Sequence, residues 1–343
     1  MPCNRHADAI MSAHTSLLPG AEAAGRHDGT ASGSRMLPPR MLIVFNPTAG
    51  RRRAARLWRV LDVMSANGIR LELAETRHAG HATELARAAA LAGADLVVAA
   101  GGDGTIAEVA NGLNGAACRL GVIPLGTANV MAHELGLPFA PRDVAAALAF
   151  GRTRTIWPGI ATGATGARVF VQMLGVGFDA QVVHGLPLPL KRLLGRGAYV
   201  VQSLREATRY RFRPIALLVD GVACEAGSVI VSKGQLYGGR YLLAPGTVAG
   251  ARGFTVALFD RSGPAAALLY GAALPLNLLP RMPGLRLLRA AEVAILSAQV
   301  PAQTDGDAAG CGPLLVRDAP TAIRIVVAAA AVRPAPAAAP PSR

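Results

Sequence analysis

Residues 99–113 read AAGGDGTIAEVANGL, with Gly101, Gly102, Asp103 and Gly104 in one four-residue turn between an apolar run and a regularly spaced apolar face. Glycine has no Cβ, so Gly101, Gly102 and Gly104 can take positive φ and let a ligand approach the backbone. A helix opening at Thr105 would turn its free N–H groups and its dipole on that ligand, which suits a phosphate. Asp103 repels a bare phosphate. It suits one that arrives with Mg²⁺, the carboxylate meeting the metal directly or through water. A second explanation needs no ligand: Thr105 and Glu108 have the spacing of a capping box, and Ile106, Val109, Ala110 and Leu113 form an ordinary apolar helix face. On this loop alone the two explanations carry equal weight.

Two further turns have the same character. FNPTAG (45–50) follows the apolar run MLIVF, and IPLGTANVMAHELGLP (123–138) carries Gly126-Thr127 at a turn into a helix. Each alone reads as an N-capped turn. Three on one sheet edge are harder to ascribe to chance.

The elements that would position these turns alternate along the chain. Strands are expected at 41–45, 70–76, 95–100 and 119–124. Helices are expected at 53–67 (with Leu57, Val60, Leu61 and Met64 on one face), 80–92, 105–113, 127–135 and 141–150. Strands alternating with helices imply a parallel α/β sheet, which binds ligands beyond the carboxyl ends of its strands. From about Gly151 the texture changes to short β-rich stretches at 153–161, 167–175, 214–220, 222–232, 252–260, 292–299 and 313–328. Helical inserts interrupt them near 190–209 and 264–279. This predicts an antiparallel β domain, with the last strand or two returning to the first domain. Residues 1–40 lack periodicity and read as a disordered extension or as sequence upstream of a start at Met41. The Pro/Ala-rich tail over 331–343 reads as unfolded.

The 343 residues suffice for two domains, and the formal charge of +14 points to an anionic partner: nucleic acid, an anionic membrane or a phosphorylated ligand. The low aromatic content, 4%, argues against nucleic acid, because few rings are available to stack on bases. Cys3, Cys118, Cys224 and Cys311 lie far apart, which fits a reducing compartment better than a disulfide framework or a zinc site. No apolar run reaches the ~18–20 residues of a spanning helix, so the expectation is a cytoplasmic protein, peripheral at the inner membrane face. Residues 191–213 carry Lys191, Arg192, Arg196, Arg205, Arg209, Arg211 and Arg213 with Glu206 as the one acid. They read equally as a solvated basic face or as an amphipathic helix on anionic lipid, worth ~1 kcal/mol per basic residue near the surface. Residues 264–280 read as a second interfacial segment or as a buried helix.

The stretches FNPTAG, GGDGTIAEVANGL, GVIPLGTANVMAHELGLP, LGVGFDAQVV (174–183), VSKGQLYGGRYLLAP (231–245) and TDGD (304–307) occur in the order of the diacylglycerol kinase catalytic-domain family, and over residues 41–328 the chain resembles it. The resemblance implies an ATP-dependent lipid kinase. Its α/β domain over 41–150 would be Rossmann-like, similar to NAD kinases and phosphofructokinases. A lipid-binding β-sandwich would span 151–312, with closing strands over 313–330 and a cleft between the two domains. ATP contacts would fall on Asn46, Pro47, Thr48, Ala49, Gly50, Thr76, Gly101, Gly102, Asp103, Gly104, Thr105, Glu108 and Thr127, with Asp103 at Mg²⁺. The family's Asp-Gly-Glu motif reads Asp305-Gly306-Asp307 here, so the general base would be Asp307, one methylene short. A general base must come within ~2.6–3.2 Å of the attacking hydroxyl, so a shorter arm demands a closer approach. TDGD also reads as a polar hairpin turn, since Asp-Gly is a turn signal. Asp179 matches a position near the lipid pocket and could orient a head group, or be a turn residue or a satisfied carboxylate. His81 and His133 match no role. Some members hold an accessory Mg²⁺ with an Asp in Pro-x-Ala-x-Leu-x-Asp-Gly and nearby carbonyls. The aligned stretch PGTVAGAR puts Ala251 for that Asp and Arg252 for the Gly, with Lys233 where Asn is usual and Arg240 where a third Gly is usual. The accessory site is therefore expected to be absent or rebuilt. Members are often homodimers, although no interface is visible in the sequence. The alternatives are a soluble NAD-kinase-like small-molecule kinase and a non-catalytic nucleotide- or lipid-binding protein.

Overall fold

The computed structural model describes residues 40–47, 51–187 and 197–329. Expectations placed on residues 1–39, Thr48, Ala49, Gly50, Lys191, Arg192, Arg196 and the tail from 330 lie outside the described residues. Arg40 is described, and its backbone N–H donates to Asp95.

The first half alternates as its periodicity requires. In order come β1 (Met41–Phe45), α1 (Arg51–Ala66), β2 (Glu72–Glu75), α2 (His81–Leu91), β3 (Leu96–Gly101), α3 (Asp103–Gly112), β4 (Arg119–Pro124), α4 (Val130–Glu134), α5 (Pro141–Phe150) and β5 (Arg152–Ile156). Strands β2, β1, β3 and β4 are parallel neighbours. All six residues of β3 are buried because helices cover both faces of the sheet, which is why this strand reads as a continuous apolar run without alternation. Leu57, Val60, Leu61 and Met64 of α1 pack with α5 on one face. Ala82 and Ala86 of α2 pack with Ile106, Val109 and Ala110 of α3 on the other.

The second half is antiparallel. It runs β6 (Gly159–Gly163), β7 (Gly166–Phe170), β8 (Met173–Gly177), α6 (Phe178–His184), α7 (Gly197–Ala207), β9 (Ile215–Val219), β10 (Val222–Ala226), β11 (Ser228–Ser232), β12 (Leu236–Tyr237), β13 (Tyr241–Leu242), β14 (Phe254–Phe259), α8 (Pro264–Ala273), β15 (Leu285–Ala290), β16 (Glu292–Ile295), β17 (Pro301–Thr304), β18 (Asp307–Cys311), β19 (Leu314–Asp318) and β20 (Ile323–Val327). Two six-stranded sheets form a sandwich, in the orders β10-β9-β16-β19-β6-β7 and β15-β14-β11-β8-β17-β18. Their inner faces share one core, in which Leu174, Val229 and Val256 of one sheet meet Leu217, Val293 and Val316 of the other. Successive strand residues point to opposite faces. Met173, Ile230, Ala257 and Phe259 therefore project from the outer face, where Tyr270 of α8 joins them. The β-rich stretches expected at 153–161, 167–175 and 222–232 each fall on two strands.

The chain closes on itself. β20 pairs parallel with β4 and antiparallel with β5, completing the first sheet in the order β2-β1-β3-β4-β20-β5. Arg152–Ile156, which the change of texture assigns to the β domain, thus belongs to the α/β sheet. The fold is an α/β domain with a parallel sheet joined to an antiparallel β-sandwich.

Candidate functional site

The parallel strands all end at one edge, which brings four strand ends together. Asn46 follows β1, Thr76 follows β2, Gly102 follows β3, and Gly126-Thr127 follows β4. The reason for glycine in these turns is close approach rather than left-handed backbone, since none of Gly101, Gly102, Gly104 or Gly126 takes positive φ. A Cβ on Gly126 would lie 2.5 Å from the Cα of Gly102, one on Gly102 would lie 3.1 Å from the Cα of Gly126, and one on Gly101 would lie 2.4 Å from Thr105 Oγ1. The two turns are stacked backbone on backbone. Asn46 Nδ2 donates to Thr105 Oγ1 (3.4 Å), and Arg53 donates to Thr127 Oγ1 (2.6 Å), tying α1 to the turn after β4.

Helix α3 begins at Asp103, not at Thr105, with Gly102 as a cap that makes no side-chain bond. The capping-box explanation fails for this reason. Thr105 lies inside the first turn, and the Glu108 carboxylate instead accepts the backbone N–H groups of Gly80 (2.9 Å) and Ala82 (3.1 Å), capping α2. Asp103 sits in the first turn of its helix, where the dipole favours a carboxylate.

Four polar residues converge beside that turn. Asp103 Oδ1 accepts from Met131 N–H (3.2 Å) and from Gln172 Nε2 (2.8 Å), joining α4 and the β-sandwich. Both bonds use one oxygen. Gln172 Oε1 is buried with no hydrogen-bond partner among the described residues. Asp305 is buried at φ 51 and accepts three backbone N–H bonds, from Val171 (2.7 Å), Gln172 (2.9 Å) and Met173 (2.9 Å). Its pKa is raised to about 7 by burial, with the charge of Asp103 adding to the rise and the three N–H bonds opposing it. These bonds place the following turn, so that Asp307 comes back over the glycine loop: a Cβ on Gly104 would lie 3.0 Å from Asp307 Oδ2. Asp307 pairs with Arg168 at 3.7 Å and is about two-fifths exposed. TDGD is indeed a hairpin turn, between β17 and β18, and the turn is what aims Asp307.

Farther along, Asp179 lies in α6, so it is not a turn residue. Its carboxylate accepts from the Tyr237 hydroxyl and from Gln303 Nε2 (2.7 Å). Burial raises its pKa, and the two hydrogen bonds only partly offset that. Gly175 leaves the room Asp179 needs, since a Cβ there would lie 1.9 Å from Oδ2. Glu134 of α4 accepts the Leu236 N–H, and burial raises its pKa as well.

One cleft of about 1590 Å³ connects these groups, Glu134 and Arg168 apart. Asn46, Thr76, Gly102, Asp103 and Thr127 line one end, Gln172, Asp305 and Asp307 the middle, and Asp179 and Tyr237 lie beyond them. The far end is apolar, walled by Phe178, Ile230, Phe259 and Tyr270 and by Val200, Leu204 and Leu268 of α7 and α8. Those last three side chains are also exposed, as are Val201, Leu269, Leu276 and Leu278 beside them. Arg205, Arg209, Arg211 and Arg213 are exposed on the same segment, whereas Glu206 turns inward and accepts from Gln202 (2.7 Å). No described helix is long and apolar enough to cross a membrane.

Sequence reasoning missed Gln172, Gln303, Tyr237, Arg168 and Arg53. Tyr237 sits in the quoted stretch 231–245 without a role assigned to it; the others lie in no quoted motif and meet the site only through long-range packing, Arg168 by way of Asp307. It also passed over the group His78, His81 and Glu84 at the start of α2, whose ligand atoms lie within 4.8 Å of one another. His81 Nδ1 accepts the Arg77 N–H (3.1 Å), and His133 is tied to Arg240 (3.3 Å).

Comparison with known proteins adds the following. The sequence model of the family described as "Diacylglycerol kinase catalytic domain" matches residues 40–159, and that of "YegS C-terminal NAD kinase beta sandwich-like domain" matches residues 172–327. The chain is similar to a probable lipid kinase YegS-like of Chromohalobacter salexigens, 34% identical over 201 residues, covering 50% of this chain and 63% of the relative. It is also similar to a diacylglycerol kinase of Bacillus subtilis, 35% identical over 189 residues, covering 53% and 60%. The matched stretch thus spans about three-fifths of the length of these curated relatives. A crystal structure of a diacylglycerol kinase from Bacillus anthracis strain Sterne superposes with a TM-score of 0.62 at 18% identity, over 86% of this chain and 98% of that one, a likeness of fold.

Proposed function

We infer, since this chain belongs to the diacylglycerol kinase catalytic-domain family, that it transfers the γ-phosphate of ATP to a hydroxyl group of a membrane lipid, diacylglycerol or a related alcohol. The observation that carries this reading is the continuity of the cleft: stacked glycine turns at one end, carboxylates in the middle, an apolar wall at the other. A soluble acceptor such as NAD would have no use for the apolar end.

In this reading the triphosphate lies over the turns of Gly102 and Gly126, where the missing side chains let phosphate oxygens approach backbone N–H groups. The residues fit a Mg²⁺ ion. Asp103 has one oxygen engaged and one left over, and Gln172 Oε1 is an unpartnered oxygen beside it. Mg²⁺, when bound, neutralises phosphate charge. Asp307 accepts the proton of the lipid hydroxyl as its oxygen forms a bond to the γ-phosphorus and the bond to the ADP oxygen breaks. The shorter arm of Asp307 is matched by its position against Gly104. Asp179, Tyr237 and Gln303 form a polar patch that orients the head group, and the wall of α7, α8 and Phe259 receives the acyl chains. As in other phosphoryl transfers, most of the catalysis is positioning and charge neutralisation.

Incubating the purified chain with γ-labelled ATP, Mg²⁺ and a total bacterial lipid extract tests this. A labelled lipid is the expected product. Retained ATP binding with no labelled lipid would leave a non-catalytic binding protein.

The substrate sits in a bilayer, so the exposed leucines at the mouth of the cleft serve as the membrane contact, with Arg205, Arg209, Arg211 and Arg213 meeting anionic head groups. Leu204→Asp and Leu268→Asp should each weaken flotation with phosphatidylglycerol-containing vesicles by ~10-fold or more, since burying a leucine is worth ~1.5–3 kcal/mol. Turnover of a detergent-dispersed short-chain substrate should fall much less. Unchanged flotation of both variants would move the membrane face elsewhere.

A further inference from the structure

Lys233 follows β11 and is only 2% exposed. Its ammonium donates to the carbonyls of Ala251 (2.8 Å) and Gly253 (3.0 Å) and to Asp318 Oδ1 (2.6 Å), which uses its full complement of three donors. The ring of Phe254 closes the site from another side, 4.6 Å from Nζ. Asp318 Oδ2 accepts the Gly253 N–H (2.8 Å), so the carboxylate at the end of β19 is shared between the lysine and the loop. Gly246, Gly250 and Gly253 in that loop take left-handed φ of 78°, 74° and 75°, the bends that close it around the ammonium.

A carboxylate and two carbonyls around one point are the donors of a hard cation such as Ca²⁺ or Mg²⁺. Here the point is already taken. The accessory Mg²⁺ that the resemblance attaches to this loop does not fit: residue 251 is alanine, and its carbonyl is spent on Lys233. Arg252 brings a second positive charge, stacked 3.7 Å from the ring of Trp157. We propose that Lys233 is a built-in cation, its ammonium filling the oxygen cage of Ala251, Gly253 and Asp318 so that this loop closes without a metal ion. The consequence reaches the cleft. The Lys233 backbone N–H donates to the Gln172 carbonyl (2.7 Å), and the Gln172 side chain holds Asp103, so the lysine that fills the cage also adjoins the site. The inference concerns the cage alone and does not depend on the reaction proposed above.

Thermal unfolding of the nucleotide-free full chain, in EDTA and in millimolar CaCl₂, tests it. The wild-type midpoint should move no more between the two buffers than that of Asp318→Asn, because the filled cage takes up no free cation. Lys233→Ala strips the charge and leaves Asp318 uncompensated, and its midpoint in EDTA should fall by about 5–10 °C. Calcium should recover several degrees of that loss, roughly as a ligand at 100 times its Kd would, and Lys233→Ala/Asp318→Asn should recover none. A wild-type midpoint that rises with calcium and loses the rise on Asp318→Asn would overturn the proposal. So would a Lys233→Ala chain that melts with the wild type or ignores calcium. Should Lys233→Ala fail to fold, equilibrium dialysis of Asp103→Asn against calcium decides: one Ca²⁺ retained per chain overturns the proposal, and none supports it.

Discussion

Asp307→Asn should lower kcat by on the order of 10²–10⁴-fold, the range that a positioned general base supplies, with the unfolding midpoint and ATP affinity nearly unchanged. The separation follows from the surroundings of Asp307. The side chain is about two-fifths exposed and its ion pair with Arg168 is long, at 3.7 Å, so little stability rests on it. Asparagine has the same shape and can stand against Gly104 as the carboxylate does, but it cannot take a proton. Steady-state kinetics with a dispersed lipid substrate measures the effect. A kcat within a few-fold of wild type would remove Asp307 from the role of base. Asp307→Glu sharpens the point. Oδ2 of Asp307 already lies 3.0 Å from the position of a Cβ on Gly104, so an extra methylene pushes the carboxylate into the space of the phosphates. Glutamate should therefore restore only part of the activity, even though glutamate is the residue that the family pattern carries.

Asp103→Asn should cost on the order of 10²-fold or more in kcat/KM, because a metal at the phosphates supplies several kcal/mol of charge stabilisation. The Mg²⁺ concentration for half-maximal rate should rise with it. Structure again isolates the charge. Asp103 Oδ1 accepts both the Met131 N–H and the Gln172 side-chain amide, and the Oδ1 of asparagine can do the same, so the joint between α4 and the sandwich survives. The variant should melt close to wild type while its magnesium titration shifts. A shift in the melting midpoint with an unshifted magnesium titration would make Asp103 a structural joint and nothing more.

The glycine turns, the strands that carry them and the alternation of the first domain were legible because each is local. An apolar run buried on both faces, a turn without side chains and a helix with a regular apolar face all leave their mark within about fifteen residues. MLIVF at 41–45, RLGVIP at 119–124 and PRDVAAALAF at 141–150 form as read, to the residue. The short β stretches were harder, since a two-residue break between strands of different sheets leaves almost no trace in composition. Ile156 and Gly159 lie three positions apart and belong to different sheets.

The sequence by itself determined the order of the elements in the α/β half, the placing of Asn46, Thr76, Gly102 and Thr127 at one sheet edge, and the presence of two carboxylates in TDGD. Tertiary structure alone decided what those groups do to one another. Glycine at 102 and 126 is required because two turns distant in sequence touch, which no local conformational preference can express. Glu108 caps a neighbouring helix instead of its own, because Gly80 and Ala82 offer it N–H groups that the start of α3 at Asp103 does not. Asp307 reaches the loop of the other domain because Asp305, buried and held by three N–H groups, sets the turn. Lys233, an ordinary lysine in the sequence, becomes a bound cation only when β11, the 251–253 loop and the end of β19 close around it. In each case the deciding interaction joins residues far apart in the chain, and its strength depends on burial, which exists only once the chain has folded.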